Sequence, residues 1–64
     1  MKNERLTEAE AKRLRTHCKK NGGRTVVAVG WGMSLARIDR AIARIHAPQK
    51  DFRQKLVEVG VIKP

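Results

Sequence analysis

Residues 24–41, RTVVAVGWGMSLARIDRA, decide the fold, because their small residues fall where two helices joined by a tight turn need them. Ala28 stands four residues before Gly32, and Ile38 follows six residues after it. Where two short helices cross steeply, one position in the first must be small and the turn needs a residue that tolerates positive φ. An aliphatic knob from the second helix then closes the wedge. Ala28, Gly32 and Ile38 meet those needs in order, and Val27, Trp31, Met33 and Ala41 fall on the inward positions of the same scheme.

Propensity alone argues otherwise at the start of this stretch, since TVVAVGW is rich in β-branched residues and carries Gly30. A lone strand here has no evident partner, whereas the 28, 32, 38 spacing has a helical explanation, so a helix is favoured. After the turn, Ser34 is a good N-cap. Leu35, Ile38, Ala41, Ile42 and Ile45 then share one arc of a helical wheel, with Ala36, Arg37, Arg40, Ala43 and Arg44 on much of the other side. His46, Ala47 and Pro48 are expected to break this third helix.

Upstream, Thr7 and Glu10 have the spacing of a capping box, with Leu6 placed to staple against Ala11. Ala11, Leu14 and Cys18 recur on one face of the first helix, and Lys12, Arg13, Arg15, Lys19 and Lys20 populate the rest. Asn21, Gly22 and Gly23 end it. Downstream, a last helix is expected from about Pro48 or Gln49 to Val59, with Phe52, Leu56 and Val59 inward and Gly60 as the stop. Val61 and Ile62 form an apolar tail that either packs over the helix end or meets a second subunit.

With 64 residues the chain has room for one small core, and a domain of this size buries only about 60% of its unfolded surface. Trp31 and Phe52 are its only aromatics, so aliphatic residues must build that core. Fifteen Lys and Arg against six Asp and Glu give a net charge of +9 and a pI near 11.0, which points to a polyanionic partner. A basic surface that serves only solubility is the plainer alternative. The single Cys18 excludes an internal disulfide, and without a CxxC pair no metal cage or cofactor is expected. Cys18 reads as a small buried hydrophobe. The charged start MKNERLTEAE is no secretory signal and no apolar run is long enough to span a membrane, so a cytoplasmic location without membrane partners is expected.

The third helix carries the chemistry expected of a nucleic-acid reader. Ala36 and Ala43 keep its outer side low and can touch thymine methyls, while Arg40 between them can give a bidentate hydrogen bond to guanine. Arg37 and Arg44 flank that face and suit phosphates, and Asp39 can accept from cytosine or orient a neighbouring arginine. Arg24, Thr25 and the free amides at the start of the second helix suit a phosphate clamp, and Ser34 can do the same at the third. Each of these residues can also be a plain cap or a solvated surface group. Trp31 reads as core rather than as a stacking platform, because single-strand binders present several aromatics. His17 and Cys18 are sequence neighbours whose side chains diverge on a helix, and His46 is isolated, so no enzyme is expected.

Residues 24–41 resemble the helix-turn-helix of small bacterial and phage repressors, Cro-like regulators and antitoxin-type DNA binders. The likeness extends loosely over most of the chain, through a basic first helix ending in NGG and a proline-led short helix with LVEVGV. It implies an all-α, four- to five-helix Cro/repressor-like domain over residues 1–64, with its motif at about 24–44. It further implies a repressor or autorepressor that binds a pseudo-palindromic double-stranded DNA operator as a homodimer, bacterial or phage-encoded and nucleoid-associated. Val59, Val61 and Ile62 are the candidate dimer contacts. Arg24, where the family often has glutamine, and Gly30 within the second helix depart from the pattern, so no operator sequence is transferred. An RNA-binding or ribosome-associated module shares the charge without needing two-fold symmetry. A membrane-active cationic peptide fits poorly with capping boxes and glycine stops.

Overall fold

The computed structural model describes residues 4–63, and among them the chain is all-helical: four helices and no strand. They are α1 (Glu8–Lys20), α2 (Arg24–Trp31), α3 (Leu35–Ile42) and α4 (Lys50–Glu58). None is long and apolar enough to cross a membrane.

Local chemistry starts α1 where the sequence predicts. The Thr7 hydroxyl accepts from the Glu10 N–H at 3.1 Å, and the Thr7 N–H donates to Glu10 Oε1 at 2.8 Å, which satisfies donors that a helix start leaves orphaned. Leu6 and Ala11 are both buried in the same core, as the staple requires. At the other end the Asn21 side chain donates to the His17 carbonyl at 2.7 Å.

The turn between α2 and α3 is built on Gly32, which has φ 70 and ψ 34. There the Gly32 N–H donates to the Val29 carbonyl and the Met33 N–H to that of Ala28, at 3.1 and 3.0 Å. A side chain at this left-handed position would crowd its own carbonyl, so glycine is the residue that closes the turn without strain. The β-branched run before it is helical because Val27 and Ala28 are buried against the rest of the core, which outweighs local propensity. Val26 and Val29 remain exposed on the outer side of α2.

Leu6, Leu14, Cys18, Ile38, Phe52 and Leu56 are the largest fully buried side chains. α1, α2 and α3 pack on one another around them. α4 joins through Phe52, whose ring meets Trp31 edge-on at 6.2 Å, while Trp31 in turn lies 5.6 Å from His17. Trp31 is therefore a half-buried packing residue. Burial raises the Cys18 thiol above its ordinary pKa, with smaller opposing contributions from Arg24, which lowers it, and Asp39, which raises it.

Two expectations need correction. The third helix ends at Ile42 and not near His46, because Arg44 turns into the left-handed region at φ 60. Its N–H donates to the Ala41 carbonyl and that of Ile45 to Arg40, a pattern that terminates a helix. Beyond this turn the helical wheel no longer applies, and Ile45 is 56% exposed rather than part of the apolar stripe. The second correction concerns the tail. Val61 and Ile62 are buried in the chain's own core, at 3% and 4% exposure, so they offer no surface to a second subunit. Gly60 at φ 81 turns the chain after α4, and the Val61 N–H donates back to the Leu56 carbonyl at 2.9 Å. That turn folds the apolar tail inward.

Candidate nucleic-acid interface

Burial of Ile38 and Ala41 fixes which side of α3 faces out. Opposite them stand Ala36 and Arg40, both exposed, with Ala43 at the helix end. The face is low on either side of Arg40 because alanine adds only a methyl. Arg40 makes no hydrogen bond or ion pair among the described residues, and it borders a groove of about 140 Å³ lined also by His46, Pro48 and Gln49.

The flanks of this face are held by charge. On the α2 side Arg24 forms an ion pair with Asp39, both partly solvent-exposed. Asp39 thus orients a neighbouring arginine, one of the two roles its position allowed. On the α4 side the Arg37 guanidinium donates to Gln49 Oε1 at 3.3 Å and to Asp51 Oδ1 at 3.2 Å, and it lies 5.7 Å from the centre of the Phe52 ring. A cation over an aromatic face is attracted by the ring quadrupole. The Phe52 backbone N–H, followed by the Arg37 guanidinium, holds the Asp51 carboxyl below the usual carboxylate range.

The remaining candidates divide between helix starts and structural ties. Thr25 is exposed in the first turn of α2. The N-cap there is Gly23, which supplies no side-chain acceptor, so the first amides of α2 are left without a side-chain partner. Ser34 caps α3, its hydroxyl accepting from the Arg37 N–H at 3.3 Å. Arg44 lies past the end of α3, and its guanidinium donates through Nε to the Leu6 carbonyl at 2.9 Å and approaches Glu8 at 3.5 Å. It ties the chain start to the loop after α3, with its side chain still partly exposed.

Sequence reasoning missed His46, Gln49 and Asp51 as neighbours of the α3 arginines. No local signal marks them, since Gln49 and Asp51 stand 12 and 14 positions from Arg37. No protein-family model, curated protein or solved structure matches this chain. The chemistry of the face therefore rests on its own geometry. It presents a guanidinium without a protein partner on a low helix face, between two arginines that carboxylates keep in place. Such a surface can donate paired hydrogen bonds to a planar acceptor edge while charge on both sides attracts phosphates.

Proposed function

We propose that this chain is a sequence-reading, double-stranded DNA-binding domain of the helix-turn-helix kind, acting as a transcriptional repressor or autorepressor. In this reading α3 lies in the major groove, Arg40 reads a guanine edge, and Ala36 and Ala43 let the helix approach the bases. Arg24, Thr25 and the open amides of α2 contact one phosphate strand, and Arg37 contacts the other side of the groove. The observation that carries the reading is Arg40, exposed and without a partner among the described residues, between two alanines on the outward side of α3.

One such helix reads only a few base pairs, so specificity calls for two copies on half-sites about 34 Å apart. Competition between a pseudo-palindromic duplex, a random duplex and a structured RNA tests the proposal. Preference for one duplex over random DNA is the expected result. Equal binding of all duplexes, or preference for the RNA, overturns it.

A further inference from the structure

Between Ala11 and Arg24 the chain carries six Lys and Arg and no acidic residue. One of the six, Arg13, is committed to the fold through its hydrogen bond to the Val61 carbonyl at 2.9 Å, and Arg24 is paired with Asp39. Lys12, Arg15, Lys19 and Lys20 are exposed and make no hydrogen bond or ion pair among the described residues. They spread along α1 from Lys12 to Lys20, a rise of about 12 Å at 1.5 Å per residue. Between α1 and the chain after α4 lies a groove of about 350 Å³, with Lys12, Thr16, His17 and Lys20 on its α1 side and Val59 and Val61 on the other.

The exposed side of α1 and the outward side of α3 lie on different sides of the shared core. α1 packs against α2 and α3 through Ala11, Leu14 and Cys18, and α3 shares that core through Ile38 and Ala41. Helices that meet through their buried sides turn their exposed sides away from each other, with the core between them. A straight duplex held against α3 therefore leaves Lys19 and Lys20 free, while Lys12 and Arg15 border a groove shared with Ile42 and Arg44 at the end of α3.

The chemistry of the face selects its partner. An interfacial membrane helix needs a free apolar side, but the large apolar residues of α1 are all buried. A protein partner needs apolar or aromatic anchors for affinity, and the outer face of α1 itself offers none, the apolar lining being Val59 and Val61 across the groove. A row of flexible cations facing solvent matches a chain of phosphates. We propose that the outer face of α1 is a second nucleic-acid contact surface, which takes the backbone of a separate duplex and lets one copy of the protein bridge two DNA segments. The inference rests on the α3 reading for the first of those segments.

The test immobilises a duplex carrying the preferred site, saturates it with the intact protein, and measures capture of a fluorescent random duplex of about 20 base pairs. Lys12→Gln/Lys19→Gln/Lys20→Gln is expected to lower capture by about tenfold or more and to reduce its salt slope by about 2 to 3. Affinity for the immobilised site should change by less than about threefold, and thermal melting should be little altered because the three lysines are exposed. Capture that survives the triple substitution overturns the proposal. So does a triple variant that loses the preferred site as heavily as Arg40→Ala, since α1 would then be touching the same duplex. An Arg40→Ala protein that binds every duplex like the wild type defeats the α3 reading instead, and loss of random-duplex binding in the triple variant then marks α1 as a nucleic-acid contact without bridging.

Discussion

The guanidinium of Arg44 donates to the carbonyl of Leu6 at 2.9 Å, across 38 positions of sequence. Arg44 is also the non-glycine residue that takes a positive φ among the described residues. Its backbone ends α3 while its side chain ties down the segment that leads into α1. Arg53 and Arg13 play similar parts, donating to the carbonyls of Glu4 and Val61. Three arginines in a chain of charge +9 thus serve the ends of the fold.

Arg44→Ala removes the tie to Leu6 and keeps a side chain at the left-handed position, so a loss of about 1 kcal/mol is expected in denaturant unfolding. Arg44→Gly loses the same tie but relieves a backbone strain of about 1 kcal/mol, and it should lie closer to wild type. Equal destabilisation by the two variants would show that the backbone conformation carries no strain.

At the α2–α3 crossing, Ala28 is 2% exposed, and Ala28→Leu should overpack it by about 1 to 3 kcal/mol. Gly32 offers a different test, because a Cβ built there meets nothing within 4 Å. Gly32→Ala should therefore destabilise by about 1 kcal/mol through φ alone, with Gly32→Val worse. Melting temperatures unchanged in Ala28→Leu would count against the close crossing.

Arg40→Ala is expected to lower affinity for the preferred duplex by about 1 to 3 kcal/mol and for random DNA by much less. Fluorescence anisotropy on both duplexes at one salt concentration separates the outcomes. Equal losses would make Arg40 a phosphate contact rather than a base reader.

Burial of Val61 turns a test of association into a test of folding. Val61→Ala should cost about 2 kcal/mol of monomer stability, and Val61→Asp more, because a carboxylate would enter the core unpaired. Sedimentation alongside circular dichroism checks this. A folded Val61→Asp chain that differs only in association would reverse the assignment.

Asp51 predicts an acid limb of known sign. Its folded-state pKa lies below the ordinary 3.8, first through the Phe52 N–H and then through Arg37. Its contribution is therefore fully present above the ordinary value and is lost as pH falls through the lowered one. Asp51→Asn should flatten the dependence of stability on pH below about pH 4. Matching slopes in the two proteins would remove Asp51 from the acid response.

The sequence alone determined the four helices, the capping box at Thr7, the cap at Ser34 and the glycine turn at Gly32. Each depends on residues within a few positions of one another and on backbone chemistry that a few residue types perform. It also marked Ala36, Arg40 and Ala43 as one outer face, because Ile38 and Ala41 supply the opposing apolar side. Only the tertiary structure decided that α3 stops at Ile42, that Val61 and Ile62 belong to the core, and which arginines remain free. Gln49, Asp51, Leu6 and Glu8 lie 12 to 38 positions from the arginines they engage. A long flexible cation takes its partner from whichever acceptors the packed helices bring within reach, and that choice is made in space rather than along the chain.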